Sequence, residues 1–398
     1  MRILLGADQY PEYINGAANF TARLAEGLAG RGHIVDLIWP SADGRHHSDL
    51  QNGVRIHRLT SIALPAKPRM HVSSPWTSTR EIESIMQISR PDIVHVQSHL
   101  SLGRSLVRIA KAGGVPVMAT NHFMPENLVH HLPVVRRFPG LAARIAWRDL
   151  EQVFQHADLI SAPTQRAVEL LASATDLGTA LAISCGIDLG RYADLAPQPP
   201  AAPFTVLFVG RLEAEKHVDE LIRAFARIPR TFGARLEIVG MGSLRPYLEK
   251  VSTDLGIKAQ VTFAGAISED DLVQAYGRAD VFVMPGTAEL QSLATLEAMA
   301  AGNPILAADA MALPHLVRDD DNGYLYPPGD VPALSRALLR LMSEPALRHR
   351  LGRASVKKAQ QHSLSHTLAT FERCYRQIVG GQTATVGLIA EPRLALAS

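Results

Sequence analysis

The stretch Thr205-Val-Leu-Phe-Val-Gly210-Arg211-Leu-Glu-Ala-Glu-Lys216 decides the fold, together with Val218–Phe225, which follows it. Its first five residues form a short apolar and β-branched run, which is typical of a strand buried in a parallel sheet. Val218–Phe225 has the apolar spacing of an amphipathic helix. A strand that leads through a short loop into a helix is the repeating unit of an α/β protein.

The same alternation extends outward from this stretch in both directions, so the predicted fold class is α/β with parallel sheets. Towards the C-terminus, further strands are predicted at Arg235–Val239, Val261–Ala264, Val281–Met284 and Pro304–Ala307. Towards the N-terminus, strands are predicted at Arg2–Ala7, Ile34–Trp39, Ile93–Gln97, Val115–Thr120, Leu159–Pro163 and Leu181–Ser184, with a helix at Ala17–Ala29.

A proline- and alanine-rich run at 196–203 separates the two sets of strands, and such a run cannot continue a helix or a central strand. The sequence therefore predicts two Rossmann-like domains, 1–196 and 204–370, with a linker at 197–203. Residues 371–398 are predicted to form a C-terminal helix or tail that packs back on the N-terminal domain. Because ligands of open parallel sheets bind beyond the carboxyl ends of the strands, we expect the domains to face each other across a cleft that holds the site.

Charge and cysteine content exclude several classes of protein. Forty Lys and Arg residues against 38 Asp and Glu residues give a net charge of +2, which argues against a nucleic-acid partner. Cys185 and Cys374 are the only cysteines and lie far apart, so no disulfide scaffold or zinc site is expected. The strand-like N-terminus and the lack of an apolar run of roughly 20 residues predict a cytoplasmic protein, with any membrane contact peripheral at the inner face.

Arg211 and Lys216 place two cations on the loop that leaves the first strand of the second domain. A guanidinium fork and an ammonium point charge suit adjacent phosphoryl groups and can offset the charge of a departing phosphate. These residues therefore favour a diphosphate site. The alternative is a solvated loop that carries a Glu/Lys pair.

A second cluster runs from a strand end into a helix and carries two carboxylates, Glu289 and Glu297. Glu289 precedes the helix and is placed to accept hydrogen bonds from sugar hydroxyls, whereas Glu297 lies inside an apolar helix, where a ribose diol is a suitable partner. The backbone amides expected to face phosphate at the helix N-terminus are those near Gln291, Ser292 and Leu293. The alternative is a helix-start acid at Glu289 and a solvated stripe at Glu297.

Two positions in the first domain add to this set. Gly16 allows close backbone approach at a helix start, although a turn glycine is an equal alternative. His122 follows the end of the predicted strand Val115–Thr120 and would project into the expected cleft, although a lone histidine is usually structural.

The order and spacing of these clusters resemble glycosyltransferase family 4, whose members are retaining enzymes of the GT-B fold, across nearly the whole chain. The matching motifs are the glycine loop around Gly16, Gly32-His-Ile-Val35, Asp92-Ile-Val-His95, Ser184-Cys-Gly-Ile-Asp188, Gly210-Arg-Leu with Glu215-Lys216, and the pair Glu289/Glu297. Two positions depart from the commonest pattern, since Ser292 stands where a glycine is usual and Cys185 where an asparagine is usual. The Ser292 side chain narrows the pocket or adds a hydroxyl contact, which bears on donor preference.

The resemblance implies that the C-terminal domain binds a nucleoside-diphosphate sugar and the N-terminal domain binds the acceptor. The implied catalytic residues are His122, Arg211, Lys216 and Glu289. The implied donor-binding residues are Gly16, Gly210, Arg211, Lys216, Glu289, Gln291, Ser292, Leu293 and Glu297. In this assignment Arg211 and Lys216 hold the diphosphate, Glu297 the ribose and Glu289 the hexose, with His122 beside the donor sugar.

The implied reaction transfers a hexose to an acceptor hydroxyl with retention and gives an α-glycoside. Same-face attack lets the departing β-phosphate take the acceptor proton, so no protein nucleophile is needed. No metal and no cofactor are expected, because positive side chains supply the counter-charge.

A finer resemblance concerns the acceptor. The motifs Tyr10-Pro-Glu-Tyr-Ile-Asn-Gly16, Thr120–Glu126 and Glu289-Leu-Gln-Ser-Leu293 look closest to the branch that glycosylates diacylglycerol. Residues 134–148 interleave arginines with apolar side chains and contain no acid, which suits an anionic membrane surface. The arginines are Arg136, Arg137, Arg144 and Arg148. The alternative is an ordinary helix pair that packs its apolar face on the core.

Two other functions stay open at this point. One is the same transfer to a soluble sugar or secondary metabolite. The other is a protein that binds a nucleotide sugar without transferring it, and the intact set Arg211, Lys216, Glu289, Glu297 and His122 argues against it.

Overall fold

Strands and helices alternate along the described residues, which are 1–8, 16–64, 67–125, 138–195 and 203–381 of the computed structural model. By its contacts the chain divides into two compact units. The first unit contains Met1–Cys185 and the chain from Ser365 onward, and the second unit contains Gly186–Leu364. Each unit is built around its own sheet, which is fully parallel in the second unit and parallel except for one edge strand in the first.

The first unit holds an eight-stranded sheet with the strand order β10-β9-β8-β7-β1-β2-β4-β3. Its strands, with a separate hairpin at β5 and β6, are β1 Arg2–Gly6, β2 Ile34–Pro40, β3 His47–Gln51, β4 Val54–Leu59, β5 Ser61–Leu64, β6 Lys67–Ser73, β7 Ile93–Val96, β8 Val117–Thr120, β9 Leu159–Ala162 and β10 Ala180–Ala182. Its helices before the second unit are α1 Gly16–Gly30, α2 Pro75–Ser89, α3 Ser101–Ala112, α4 Pro139–Phe154 and α5 Gln165–Ala174. Only β3 runs antiparallel to its neighbour, at the edge of the sheet.

The second unit holds a fully parallel six-stranded sheet with the order β13-β12-β11-β14-β15-β16. Its strands are β11 Thr205–Val209, β12 Arg235–Val239, β13 Val261–Gly265, β14 Val281–Met284, β15 Ile305–Ala308 and β16 Gly323–Tyr326. Its helices are α6 Val218–Phe225, α7 Arg245–Asp254, α8 Glu269–Gly277, α9 Leu293–Ala300, α10 Leu313–Leu316, α11 Val331–Ser343 and α12 Pro345–Ala359. The strand order reverses between β11 and β14, which is where open α/β sheets bind ligands.

The last helix of the described residues, α13 Leu364–Val379, belongs to the first unit from Ser365 on. Its Phe371 packs on Phe20 and His95, with ring centroids 6.0 and 5.3 Å apart. The Tyr375 hydroxyl lies 2.7 Å from His95 Nδ1, in a fully buried environment. The C-terminal helix therefore completes the core around β7.

The division by contacts falls at Cys185/Gly186, ahead of the linker expected at 197–203, most of which lies outside the described residues. Ile187 explains the earlier boundary. Its N–H donates to the His362 carbonyl at 2.9 Å, and its own carbonyl accepts from the Leu364 N–H at 2.8 Å. Tyr192 further packs on Tyr276, with ring centroids 6.0 Å apart. These contacts place residues 186–195 with the second sheet.

Candidate active site

The loop after β11 begins at Gly210, whose N–H donates to the Val239 carbonyl at 3.0 Å. Gly240 follows β12 with a φ of 133°, and a Cβ there would lie 1.9 Å from the Gly210 carbonyl oxygen. Only glycine fits at position 240. The loops after β11 and β12 can therefore lie directly against each other, and Arg211 comes next in the chain.

Arg211 pairs with Glu215 across one turn of the loop, with Nη2 donating to Oε1 at 2.8 Å. The Glu215 side chain is 2% exposed, whereas that of Arg211 is 38% exposed. Within the described residues, the second carboxylate oxygen of Glu215 is buried without a hydrogen-bond partner. A buried acid thus anchors a guanidinium that is open to solvent.

Lys216 reaches the loop after β14, where Nζ donates to Glu289 Oε1. Both side chains are largely buried. A second hydrogen bond connects the same two loops, from the Thr287 N–H to the Glu215 carbonyl at 3.1 Å. The two predicted clusters therefore meet at the point where the strand order of the second sheet reverses.

Helix α9 starts in the same loop. Ser292 is its N-cap and Leu293 its first residue, and Gln291 and Ser292 are buried. The backbone of Ser292 is left-handed, with a φ of 71°, and its Oγ lies 2.8 Å from Thr295 Oγ1. Because the first N–H groups of a helix have no intrahelical acceptor, this end offers donors and a positive dipole to an anion.

Glu297 lies on the buried side of α9, so the alternative of a solvated stripe is wrong. The Tyr276 hydroxyl donates to Glu297 Oε2 at 3.1 Å, and Tyr276 is itself fully buried. A hydrogen bond of this kind offsets part of the cost of removing a carboxylate from water. Tyr276 therefore orients a carboxylate within the second unit.

His122 and Gly16 lie in the first unit. His122 follows β8, and its Nε2–H donates to Gln97 Oε1 at 2.9 Å. Burial lowers the pKa of His122 to about 4, so its imidazole is neutral at pH 7. Gly16 is the first residue of α1, while residues 9–15 of its loop lie outside the described residues.

A buried chain of polar contacts lies near His122 and connects Thr120 of β8, His95 of β7 and Tyr375 of α13. His95 Nε2 lies 2.7 Å from Thr120 Oγ1, and its Nδ1 lies 2.7 Å from the Tyr375 hydroxyl. Burial, with a smaller contribution from the nearby His122, lowers the pKa of His95 to about 3. This chain of contacts fixes the end of β7 and β8, from which Gln97 and His122 project.

Three partners of the predicted site residues were not identified from sequence: Glu215, Tyr276 and Gln97. The position of Glu215, four residues after Arg211, was a signal for the first pair. No local signal points to Tyr276, because it belongs to α8 and meets Glu297 only in the folded unit.

Within the described ranges, no group of three or more His, Cys, Asp or Glu side chains is arranged to hold a metal ion.

Helix α4 carries the described part of the arginine-rich segment, since Arg136 and Arg137 lie outside the described residues. One face packs on the core through Trp147 and Leu150. The opposite face repeats apolar and basic side chains at helical spacing, with Leu141 50% and Ile145 61% exposed. Its arginines, Arg144 and Arg148, are also exposed. None of the described helices combines the length and apolar character needed to cross a bilayer.

Known proteins resemble both units. Residues 14–191 match the family model described as Glycosyltransferase Family 4, and residues 196–358 match the model described as Glycosyl transferases group 1. The chain is 30% identical over 355 residues to a GDP-mannose-dependent alpha-mannosyltransferase from Mycolicibacterium smegmatis, covering 86% of this chain and 89% of that protein.

A second relative is the alpha-monoglucosyldiacylglycerol synthase of Acholeplasma laidlawii, at 24% identity over 341 residues, with 82% of this chain and 85% of that protein covered. Among solved structures, sucrose-phosphate synthase from Thermosynechococcus elongatus superposes with a TM-score of 0.81 at 21% identity, covering 96% of this chain and all of that one. This likeness confirms the fold class that the sequence predicted. The chain belongs to glycosyltransferase family 4 and has the GT-B fold.

Proposed function

We propose that this glycosyltransferase moves a hexose from a nucleoside-diphosphate sugar to an acceptor hydroxyl, with retention, to form an α-glycoside. The observation that carries the proposal is the pair of Lys216 with Glu289 beside the N-terminus of α9, with Arg211 held on the loop of Lys216 by Glu215. Two cations and a helix N-terminus suit a diphosphate, and a carboxylate beside them suits sugar hydroxyls. The name of the mannosyltransferase relative, which specifies a GDP-sugar, supports the same donor class.

In the proposed reaction the bond between the sugar C1 and the β-phosphate oxygen breaks while the acceptor oxygen bonds to C1 on the same face. The acceptor proton passes to the departing phosphate. Arg211 and Lys216 stabilise the charge that grows on that phosphate, and this stabilisation lowers the barrier because it is greatest in the transition state. The reaction as proposed needs no metal and no cofactor.

The carboxylates and the histidine have separate roles in the proposal. Glu289 accepts hydrogen bonds from the hexose hydroxyls, and Glu297, oriented by Tyr276, accepts from the ribose diol. His122 acts towards the donor sugar as a neutral imidazole, which can exchange hydrogen bonds with hydroxyls without adding charge.

For the acceptor we propose a membrane lipid such as diacylglycerol, reached from the inner face of the membrane by a peripheral protein. The exposed face of α4 supports this choice, because Leu141 and Ile145 can enter the lipid interface while Arg144 and Arg148 meet anionic headgroups. The name of the diacylglycerol synthase relative points the same way.

The test is a panel of nucleoside-diphosphate sugars, each offered with diacylglycerol in anionic vesicles or with soluble sugars. Products are read by mass spectrometry and the anomeric configuration by nuclear magnetic resonance, with and without a chelator. We expect a chelator-resistant α-glycoside of the lipid. Efficient transfer only to a soluble acceptor would replace the lipid proposal, and a β-glycoside would refute retention. If the protein bound the nucleotide sugar but neither transferred the sugar nor hydrolysed the donor, it would be a nucleotide-sugar-binding protein.

A further inference from the structure

A cavity of about 380 Å³ opens in the first unit between β2, β3, β4 and α2. None of the residues assigned to the candidate active site lines it. Its walls combine polar and charged groups with the apolar side chains of α2, and the lining includes Asp36, Ser48, His57, Arg80 and Ile88. Polar groups that converge in a concave site of this size are suited to binding a small molecule.

Three of these side chains form a continuous hydrogen-bonded row. The Ser48 hydroxyl lies 2.8 Å from His57 Nδ1, and His57 Nε2 lies 2.7 Å from Asp36 Oδ1. Because an ionised carboxylate only accepts, Asp36 holds the ring proton on Nε2 and leaves the lone pair of Nδ1 directed at the Ser48 hydroxyl. Arg55 Nη1 lies 3.6 Å from the same Asp36 oxygen and places a positive charge beside the row.

The sheet explains how the row is built. Ser48 on β3 is paired directly with His57 on the antiparallel β4, and β4 is the parallel neighbour of β2, which carries Asp36. Asp36 and His57 are buried, whereas Ser48 is exposed. Serine, base and acid thus run in order from the surface inward, as nucleophilic serine sites require.

We propose that Ser48 is an activated nucleophile and that the cavity accepts a small carboxylic ester with an apolar chain. Ser48 Oγ attacks the carbonyl carbon while its proton passes to His57 Nδ1. The bond from the carbonyl carbon to the alcohol oxygen then breaks, and His57 returns the proton to the departing alcohol. Water, activated by the same histidine, releases the acid and restores Ser48.

The other cavity residues fit this substrate class. Arg80 supplies a positive charge in the cavity for the oxygen that becomes negative during attack. Ile85 and Ile88 provide the apolar wall for the acyl or alcohol chain. The proposal uses first-unit residues alone and does not depend on the proposed glycosyl transfer.

The probe is an alkyl fluorophosphonate, which forms a bond to an activated serine oxygen and releases fluoride. Peptide mapping of the full-length protein should find the adduct on Ser48. The adduct should disappear in Ser48→Ala, fall at least tenfold in His57→Gln, and persist in Ser84→Ala, whose side chain is exposed in the same cavity. Hydrolysis of p-nitrophenyl butyrate should fall by a similar factor in Ser48→Ala and His57→Gln.

Tryptophan fluorescence checks that each variant is folded, because Trp39, Trp76 and Trp147 are the only tryptophans and all belong to the first unit. Wild-type protein without an adduct on Ser48 would overturn the proposal. Equal labelling of Ser48 in folded His57→Gln would also overturn it, since the serine would then react without its base.

Discussion

Tyr276 donates its hydroxyl to Glu297 Oε2 at 3.1 Å, and both side chains are buried inside the second unit. The phenol comes from α8 and the carboxylate from α9. One oxygen of Glu297 is therefore oriented by a neutral donor. An oriented carboxylate loses less entropy on binding a diol than a mobile one, which is why we regard Tyr276 as a positioning residue for the nucleotide.

The first prediction concerns this pair. Glu297→Gln should weaken nucleoside-diphosphate binding by about 1.5 to 3 kcal/mol, because it replaces a charge-assisted hydrogen bond to the ribose by a neutral one. Calorimetry of the purified variant measures the change. Glu249→Gln, an exposed glutamate of the same unit, is the matched control and should bind as wild type does. Unchanged affinity in Glu297→Gln would remove the ribose assignment.

A second prediction follows from the left-handed backbone of Ser292. Residues with a Cβ are strained in this conformation by roughly 1 to 2 kcal/mol, whereas glycine is not. Both Ser292→Ala and Ser292→Gly lose the contact with Thr295, but only Ser292→Ala keeps the strain, so Ser292→Gly should be the more stable of the two variants by about 1 kcal/mol. Urea unfolding followed by circular dichroism compares them. An alanine variant as stable as the glycine variant would contradict the strain.

Particular strands show which parts of the fold the sequence patterns predict and which they miss. Thr205–Val209 and Val281–Met284 form strands with the predicted bounds, because continuous apolar runs are buried on both faces of a parallel sheet. The strand His47–Gln51 was missed. Its side chains are polar and mostly exposed at the sheet edge, so nothing in its composition separates it from a loop.

For the candidate site, too, the sequence predicted the functional residues but not all of their partners. Motif spacing selected Arg211, Lys216, Glu289 and Glu297, and the fold pairs Lys216 with Glu289 while Glu215 holds Arg211 on the same loop as Lys216. Tertiary contacts decide which side chain pairs with Lys216. Its partner, Glu289, lies 73 positions further along the chain. The Arg211–Glu215 pair has a local signal in its four-residue spacing, whereas no local pattern indicates that Glu289 neutralises Lys216.

A third prediction concerns pH. The pKa of fully buried His95 is lowered to about 3, so the stability it contributes is complete above the unfolded pKa of about 6.5 and is lost as the pH falls towards 3. At pH 5 the loss should be about 2 kcal/mol. Urea unfolding followed by tryptophan fluorescence reports the first unit. His95→Gln should reduce the difference in stability between pH 7.5 and pH 5, and an unchanged difference would contradict the assignment.

The fourth prediction concerns α4. Arg144→Gln combined with Arg148→Gln should weaken binding to anionic vesicles by about 2 kcal/mol at low salt, since each arginine near such a surface contributes about 1 kcal/mol. Arg166→Gln, an exposed arginine of the same unit, is the control. Vesicle sedimentation measures binding. Equal sedimentation of the double variant and wild type, or binding that does not weaken with added salt, would contradict the proposed membrane face.

The central claim is that Arg211 and Lys216 stabilise a departing diphosphate, and the turnover of Arg211→Ala and Lys216→Ala tests it most directly. Each variant should lose about 2 to 4 kcal/mol of transition-state stabilisation, which is roughly a 30- to 1,000-fold fall in kcat. Arg223→Ala, which removes an exposed arginine from α6, is the control and should retain wild-type turnover. A melting curve accompanies Lys216→Ala, because this change leaves Glu289 without its ion pair. Folded Arg211→Ala and Lys216→Ala proteins that both turn over within about twofold of wild type would contradict the account.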